Sequence, residues 1–364
     1  MYEDPVVASS TGAEPDVYAA VQRPIGEARG LPNAAYTSEA QWAAEREKLF
    51  ARTWTCIAFA SDLPEGAWAE PVNLMGMPLL VLKDGDGAIR VFHNVCSHRG
   101  QRLVPEGGPV KGVLRCPYHS WTYDFGGRLR GTPHIGGPGV HRLAGFDCSR
   151  HGLKAVRSEI WMDMLFVNVS GNAPPFEQHI APLMERWEEF WAKGRGRYKR
   201  AGHDDDIELE LKANWKLAIE NYCESYHLPQ VHPGLNAYSR LEDHYNIMVA
   251  DRFSGQGTRV YRLPDTADRL PQLEDWPREK LRMAEYIAVY PNLMLGVHVD
   301  QFFAVRVDPL APDRTRESMR LYFVDGDRSE ESSEATRRSL QSSWRTVFAE
   351  DVGVVEGMQL GRQS

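Results

Sequence analysis

Hydrophobic and polar positions follow different patterns in successive parts of this 364-residue chain. Residues 1–36 are rich in Pro, Ala, Gly and Ser and show no period, which predicts an extended arm. A helix is predicted to begin at Ser38, where Gln41 completes a capping box. From about 54 to 168 the pattern changes to short β-rich runs separated by Gly and Asp turns, which predict a small all-β domain with hairpins.

Helical periodicity returns after this region. Apolar positions with i, i+4, i+7 and i+8 spacing predict an amphipathic helix, and its stripe comprises Phe176, Ile180, Leu183, Met184, Trp187, Phe190 and Trp191. Further helices are predicted at about 212–227 and 333–360, with strand-like runs between them. The predicted fold class is therefore α+β. It combines an all-β domain over 40–168 with an α+β domain, formed by 1–39 and 169–364, in which helices cover an antiparallel sheet.

Composition and charge exclude several functional classes. The chain is 42% hydrophobic and 25% charged, which is typical of a globular protein. Its net charge of −8 disfavours nucleic acid as a partner. Neither a long apolar run nor a basic leader with an apolar core is present in the sequence, so we expect a cytoplasmic protein without a membrane partner. The five cysteines favour metal ligation over a disulfide framework.

Two Cys/His pairs form the first candidate metal site. Cys96-x-His98 is followed, after 17 residues, by Cys116-x₂-His119. A structural zinc ion takes the same donors, but zinc knuckles usually place their ligands two to four residues apart in a different arrangement. Two mirrored Cys/His pairs fit a two-iron cluster with Cys₂ on one iron and His₂ on the other. The spacing favours a Rieske [2Fe–2S] centre over zinc.

Residues 214–227 contain the start of a second candidate site. Interpreted as one helix, this segment carries an aromatic stripe that is expected to pack in the core, formed by Trp215, Ile219, Tyr222 and Tyr226. The adjoining face carries Glu220, Cys223, Glu224 and His227. Pro229 is predicted to end the helix, so that His232 comes from the following loop.

The two histidines could supply part of a 2-His-1-carboxylate iron site, which needs a carboxylate from another element. The last predicted helix has an apolar stripe of Leu340, Trp344, Val347, Phe348, Val355 and Met358. Asp351 occupies the gap in that stripe, whereas Glu350 and Glu356 fall off it. A buried aspartate is rare without a partner or a metal. His227, His232 and Asp351 are therefore the candidate ligands, and a helix cap or strained helix end at Asp351 is the alternative.

One pair of charge runs stands apart from these motifs. KGRGRYKR at 193–200 contains five basic residues, and HDDD follows at 203–206. A solvated loop explains such a pair most simply. A docking patch for an acidic electron-transfer partner is the alternative.

From about residue 35 to its end the sequence resembles the α subunits of Rieske non-haem iron oxygenases, because both paired motifs occur in this order. The resemblance implies that Cys96 and Cys116 bind one cluster iron and that His98 and His119 bind the other. It also implies a mononuclear Fe(II) site, formed by His227, His232 and Asp351. The implied cofactors are thus a Rieske [2Fe–2S] cluster and Fe(II). O₂ is the co-substrate, and NAD(P)H acts indirectly.

The resemblance also implies partners. A flavin and iron–sulfur reductase, in some systems through a ferredoxin, would reduce the cluster. Glu224 would bridge to His119 of a neighbouring subunit, which requires a homotrimer or a multiple of trimers. Glutamate at the bridging position, where most ring dioxygenases have aspartate, resembles the carnitine, betaine and choline monooxygenases. The expected reaction is hydroxylation of a small quaternary ammonium or methylated amine compound with oxidative C–N cleavage.

Alternatives remain at this point. Hydroxylation of an aromatic ring or aromatic acid is the commoner chemistry of the family, and a zinc protein or a pure electron carrier represents a different class. An ammonium substrate would need an aromatic cage. The candidates are Tyr222, Tyr226, Tyr245, Phe253, Tyr261, Phe302 and Phe303, and the sequence does not choose among them.

Overall fold

The structure, a computed structural model, describes residues 15–191, 197–202, 204, 206–262, 270–325 and 330–364. Within the predicted arm it contains two short helices, α1 (Pro15–Val21) and α2 (Ala34–Thr37). The prediction of a wholly extended arm was therefore wrong for these residues. Helix α3 (Glu39–Glu45) follows, and the Ser38 side chain accepts a hydrogen bond from the Gln41 N–H, as the capping pattern predicts.

The amino-terminal lobe is built from ten strands and contains two antiparallel sheets. Its strands are β1 (Thr55–Phe59), β2 (Trp68–Leu74), β3 (Met77–Lys83), β4 (Ile89–His93), β5 (Gly108–Pro109), β6 (Leu114–Arg115), β7 (Thr122–Tyr123), β8 (Leu129–Gly131), β9 (Ala155–Trp161) and β10 (Met164–Asn168). Seven form one sheet in the order β1-β10-β9-β4-β3-β2-β5, and β6-β7-β8 form a small second sheet. Short runs rich in apolar residues, some of them buried along their whole length, are separated by turns and explain this all-β lobe.

The carboxyl-terminal lobe combines helices with an eight-stranded antiparallel sheet, in the order β11-β18-β17-β16-β15-β14-β13 with β12 paired to β18. Its helices are α4 (Phe176–Arg186), α5 (Glu188–Trp191), α6 (Trp215–Tyr222), α7 (Leu228–Val231), α8 (Pro233–Asn236) and α9 (Glu330–Gly361). Its strands are β11 (Tyr198–Arg200), β12 (Ile207–Leu211), β13 (His244–Val249), β14 (Phe253–Thr258), β15 (Ala284–Val289), β16 (Leu293–Val297), β17 (Gln301–Ala311) and β18 (Arg314–Val324). The predicted α+β fold class, with an all-β lobe and an antiparallel sheet covered by helices, is confirmed.

Both faces of the large sheet are covered. The apolar stripe predicted for 176–191 is largely buried on one face, although the helix is interrupted at Trp187. On the other face Trp344 and Phe348 of α9 pack into the core with Tyr286 and Phe303 of the sheet. Asp351, the polar residue in the apolar stripe of α9, therefore lies close to this apolar face.

The two lobes share one hydrophobic core and direct hydrogen bonds. The Asn292 side chain bonds both the N–H and the carbonyl of Cys56, at 3.0 and 2.8 Å. Glu45 of α3 accepts hydrogen bonds from the Trp215 indole and the Lys216 ammonium of α6. Among the helices described, none combines the length and the apolar character that crossing a membrane requires.

Candidate metal sites and pocket

The two Cys/His pairs lie in twin loops of the amino-terminal lobe, one after β4 and one after β6. In each loop the cysteine N–H donates to the carbonyl five residues later, and the cysteine carbonyl accepts from the N–H four residues later, all at 2.8 to 3.0 Å. This closure needs a left-handed residue, which is Gly100 in the first loop and Ser120 in the second. The repeated geometry presents Cys96 and Cys116 to one point, and both are buried.

The histidines of these loops lie side by side. The rings of His98 and His119 are 4.6 Å apart, and His98 stacks on Trp121 at 4.6 Å with parallel planes. The Nδ1 atom of His119 is buried without a hydrogen-bond partner, as expected for an atom that ligates a metal. The four residues therefore fit an iron–sulfur cluster.

His227, His232 and Asp351 come together at the second site, where one ligand atom of each lies within 4.8 Å of the others. The Nε2 atom of His232 is 3.0 Å from Asp351 Oδ1, and that of His227 is 3.7 Å away. Two imidazoles and one carboxylate that converge from one side leave the other side open, which is the donor set of non-haem Fe(II). Sequence reasoning thus named three side chains that the fold brings together.

Two further carboxylates orient the histidines. Glu224 Oε1 lies 2.5 Å from His227 Nδ1, and Glu350 Oε2 lies 2.7 Å from His232 Nδ1. Each contact turns the Nε2 atom of its imidazole towards Asp351. Glu350 was dismissed in the sequence because it falls off the apolar stripe of α9. The sequence contained one sign of its role, namely its position next to Asp351. Two adjacent residues of a helix can contact the segment that carries the histidines from two sides.

These contacts shift the pKa values of the site. Burial alone would raise the pKa of Glu224, but hydrogen bonding to His227 and the adjacent backbone N–H groups lowers it below its usual value. Burial alone would lower the pKa of His232, and Asp351 and Glu350 raise it. Burial and the Asp351 charge raise the pKa of Glu317 to about 8. Glu317 is therefore mostly neutral near pH 7.

The segment that carries His227 and His232 differs from the helix predicted over 212–227. Helix α6 ends at Tyr222, and Pro229 lies in the first turn of α7 instead of ending a helix. His232 follows α7 directly, with a backbone conformation outside the helical region. Tyr226 was expected in the core stripe but is 85% exposed, because the chain leaves the helix before it. The four predicted polar residues do not share one face, since Glu220 accepts a hydrogen bond from Tyr36 instead.

A pocket opens beside the three candidate ligands. The ligands are part of its wall, and its aromatic lining consists of Tyr222, Tyr286, Phe303, Trp344 and Phe348. Two of the seven cage candidates, Tyr222 and Phe303, line this pocket. Tyr226 is exposed, Tyr245 contacts Glu285, Phe253 and Phe302 lie in the opposite core cluster, and Tyr261 packs on Tyr238. Sequence reasoning missed Tyr286, Trp344 and Phe348 as pocket residues.

The charge run at 193–200 is only partly described, since residues 192–196, 203 and 205 lie outside the described residues. The cations that are described form ion pairs. Lys199 contacts Asp325, and Arg200 contacts both Asp62 and Asp206, at 2.6 to 2.7 Å. These pairs favour the solvated, internally paired interpretation for the described part of the run.

Two protein families match successive parts of the chain. The Rieske [2Fe-2S] domain family matches residues 53–152, and the ring hydroxylating alpha subunit (catalytic domain) family matches residues 198–364. The carnitine monooxygenase oxygenase subunit of Escherichia coli (strain K12) is 26% identical over 93% of this chain and 85% of its own. The chloroplastic choline monooxygenase of Arabidopsis thaliana is 28% identical over 94% of this chain and 78% of its own.

Solved structures share the fold. A quaternary ammonium Rieske monooxygenase in complex with L-carnitine gives a TM-score of 0.71 at 24% identity, over 92% of this chain and 85% of its own. Naphthalene 1,2-dioxygenase from Rhodococcus sp. gives 0.72 at 20% identity, over 92% of this chain and 82% of its own. With both family models matched in order and with the donor sets described above, the chain belongs to the α subunits of Rieske non-haem iron oxygenases.

Proposed function

We propose that this chain is the terminal oxygenase that hydroxylates a small methylated ammonium compound, with oxidative C–N cleavage and release of an aldehyde. The observation that carries the proposal is the aromatic pocket beside His227, His232 and Asp351. The named activities of the carnitine and choline monooxygenase relatives support it.

The lining of the pocket favours a methylated ammonium group over an aromatic acid. It includes five aromatic rings, and the described lining contains no Lys or Arg. The faces of aromatic rings attract ammonium groups, with about 0.5–2 kcal/mol for each contact. A benzoate-type carboxylate would find no Lys or Arg side chain to replace its hydration.

Four residues would hold the cluster and three would hold the iron. Fe(II) at His227, His232 and Asp351 would supply activation of O₂, with electrons delivered through a [2Fe–2S] cluster at Cys96, His98, Cys116 and His119. The protein's own contribution is positional. Glu224 and Glu350 orient the two imidazoles, and the aromatic rings exclude water and place the substrate methyl group beside the open side of the triad.

The surface around the cluster loops supports an acidic electron donor as the partner. Between residues 95 and 154 the chain carries nine exposed cations, against three acidic residues, although its net charge is −8. They are Arg99, Arg102, Lys111, Arg115, Arg128, Arg130, Arg142, Arg150 and Lys154. Opposite charge accelerates and orients association between electron-transfer proteins. The proposed donor is a reductase, or a ferredoxin between reductase and oxygenase, with an acidic face.

The proposed assembly is a homotrimer in which Glu224 relays electrons from His119 of the neighbouring subunit. The Glu224 side chain is 44% exposed, so a second protein surface can reach it. All five cysteines are unpaired, which suits the reducing cytoplasm that supplies NAD(P)H. We propose that compartment as the location.

The test is a single-turnover assay of chemically reduced enzyme with O₂. Carnitine, betaines and choline are offered beside benzoate-type acids, and aldehydes and hydroxylated products are measured together. Aldehyde from an ammonium compound is the expected result. Hydroxylated ring with no aldehyde would establish the aromatic alternative. Analysis of the same sample for iron and acid-labile sulfide would reject the whole oxygenase proposal if it found zinc without sulfide.

A further inference from the structure

The pocket beside the candidate iron ligands has an aromatic part and a polar part. Aromatic rings line it from β15, β17 and α9, whereas its polar sheet residues come from β13 and β14, which follow β15 at one end of the sheet. Apart from the candidate ligands, the polar residues of the lining are Asn221 in α6, Ser239 after α8, His244 in β13 and Gln256 in β14. We call these four residues the polar wall. A molecule that fills the pocket therefore meets different chemistry at its two ends.

Three residues of the polar wall form one chain of hydrogen bonds. In the antiparallel pair β13 and β14, His244 lies opposite Thr258, so Gln256 lies diagonally across from His244 on the same face. Gln256 Oε1 is 2.8 Å from His244 Nδ1, and His244 Nε2 is 2.9 Å from Ser239 Oγ. The chain therefore runs from the sheet to Ser239, and all three of its side chains belong to the pocket lining.

The direction of these hydrogen bonds is set at the Gln256 end. Gln256 Nε2 donates to the backbone carbonyls of Tyr222 and Glu224, at 3.3 and 2.9 Å. Carbonyl oxygens only accept, so Gln256 Oε1 faces His244 and accepts from its Nδ1–H. Burial lowers the pKa of His244, and the hydrogen bonds of the ring offset this only in part, so the imidazole is neutral near pH 7. With its proton on Nδ1, His244 accepts at Nε2 from the Ser239 hydroxyl.

The Ser239 hydroxyl consequently offers only lone pairs to a molecule in the pocket. A hydroxyl group has one donor and two acceptor positions, and here the donor is engaged by His244. Ser239 can accept from an O–H or N–H group. A carboxylate or a fluorine atom at the same place would set lone pairs against lone pairs, without a hydrogen bond to replace its hydration.

Asn221 gives an independent indication of a ligand. The residue is 7% exposed and lines the pocket. Within the described part of the chain its side-chain amide has no hydrogen-bond partner, although both polar atoms keep accessible surface. Buried polar groups nearly always have partners, so a bound molecule is expected to supply them. Gln256 bonds the carbonyl of Tyr222, the next residue, so Asn221 lies beside the same chain of hydrogen bonds.

We propose that Ser239 and Asn221 bind a hydroxyl or carboxamide group of the substrate, at the end away from the methylated ammonium group. Ser239 accepts the O–H or N–H hydrogen of that group, and Asn221 donates to its oxygen. His244 and Gln256 are positioning residues, because they fix the direction of the Ser239 hydroxyl. This inference rests on the proposed function for the ammonium end, and it narrows the substrates to compounds that carry a neutral hydrogen-bond donor.

Compounds that differ in one group test this subsite. The probes are ω-hydroxyalkyl-trimethylammonium ions of two to four carbons, their ω-fluoro analogues and the corresponding ω-carboxylates. Fluorine is close to a hydroxyl group in size but cannot donate a hydrogen bond. Calorimetric binding to the metal-loaded enzyme and kcat/KM for aldehyde release are measured for each probe. We expect the wild type to prefer the best hydroxyl compound over its fluoro analogue by at least about tenfold, because the analogue leaves Ser239 unpaired.

Substitutions assign this preference to the polar wall. Ser239→Ala removes the acceptor and should reduce the preference by about 3- to 10-fold, whereas Ser239→Thr keeps a hydroxyl and should retain it. His244→Phe keeps a ring but frees the Ser239 hydroxyl to turn and donate. This variant should raise KM for the hydroxyl compound more than KM for the fluoro compound. A purely structural role of His244 would raise both by the same factor.

Ser318→Ala is the matched control. Ser318 is 1% exposed, like Ser239, but its hydroxyl donates to Glu208 and it is not part of the pocket lining, so the preference should not change. Three results would overturn the subsite: equal binding of hydroxyl and fluoro compounds by the wild type, an unchanged preference in Ser239→Ala, or a preference for the carboxylate. If the wild type oxidises no ammonium compound, the proposed function is wrong. Calorimetric binding of 2-phenylethanol against (2-fluoroethyl)benzene then decides the subsite.

Discussion

At the scale of single residues, the candidate iron site depends on carboxylates in two different roles. Asp351 faces both Nε2 atoms, whereas Glu224 and Glu350 contact the Nδ1 atoms. The first role supplies a ligand, and the second fixes the orientation of the ligands and raises their basicity. The two roles predict different consequences of substitution.

Asp351→Ala should remove the mononuclear iron and leave the Rieske absorption and electron paramagnetic resonance spectra intact. Two histidines alone lack the anionic donor that completes the set, while the cluster loops belong to the other lobe. The measurement is iron and sulfide content with both spectra. Glu356→Gln, on the same helix, is the control, because Glu356 accepts a hydrogen bond from the Lys212 N–H away from the site. Full iron content in Asp351→Ala would mean that another residue is the third ligand.

Glu350→Gln should weaken iron binding without abolishing it. The glutamine can still contact His232 but carries no charge, and loss of such an outer partner typically costs about 10- to 100-fold in metal affinity. The measurement is competition for Fe(II) with a chelator of known affinity, compared with wild type and with Asp351→Ala. An affinity equal to that of the wild type would show that Glu350 does not orient His232.

At the scale of elements, patterns within one element were predictable and contacts between elements were not. The stripe of α9 located Asp351, because a polar residue in an apolar face is visible in the sequence. The end of α6 at Tyr222 could not be predicted from the sequence. Residues 223–227 continue the helical pattern, whereas in the structure the chain leaves the helix there and brings the candidate ligands together. Glu350 and Trp344 were missed for a related reason. Their roles arise from what the fold places opposite them.

Gly296→Ala tests the close packing of side chains where β15, β16 and β17 form the wall of the pocket. The added methyl group meets the buried Phe303 ring at 2.2 Å, so the ring or the strand must shift. We expect a loss of about 1–3 kcal/mol in the free energy of unfolding, as for other overpacked cores, together with weaker substrate binding. The measurement is denaturant unfolding with calorimetric binding of substrate.

Gly357→Ala provides the matched control in α9, where nothing lies within 4 Å of the added atom. Alanine is favoured over glycine in a helix interior, so this variant should be more stable by about 0.5–1 kcal/mol. Equal effects of the two substitutions would show that the close approach at Gly296 does not constrain the wall.

At the scale of the whole molecule, the surfaces near the two sites suit contact between subunits. Tyr118, beside His119, is 56% exposed, and Tyr226, beside Glu224, is 85% exposed. Exposed aromatic rings of this kind are enriched at protein interfaces. Within one chain the described hydrogen bonds of the Glu224 side chain go to His227 and to the Tyr226 N–H, not to His119. A direct bridge to a cluster histidine would therefore come from a second subunit.

Substitution of Glu224 alone cannot isolate this relay, because Glu224 also holds His227. Complementation between two inactive chains can. Cys116→Ala should lack the cluster and Asp351→Ala should lack the iron, so the proposed homotrimer of either chain alone should be inactive. In a trimer that assembles at random from both chains, about one quarter of the interfaces join an intact cluster to an intact iron site in the next subunit.

Co-expression of these two chains should therefore restore activity to about a quarter of the wild-type value per subunit if electrons cross between subunits in a closed ring. Transfer within one chain predicts no activity, because neither chain holds both metals.

The control is co-expression of wild type with the double variant Cys116→Ala/Asp351→Ala. Transfer between subunits again gives about one quarter of the activity there, whereas transfer within a chain gives about one half. Since the two mixtures contain the same substitutions in the same amounts, any difference between them reports only how the metals are distributed among chains. Equal activity in both would require electrons to enter each iron site from a neighbour.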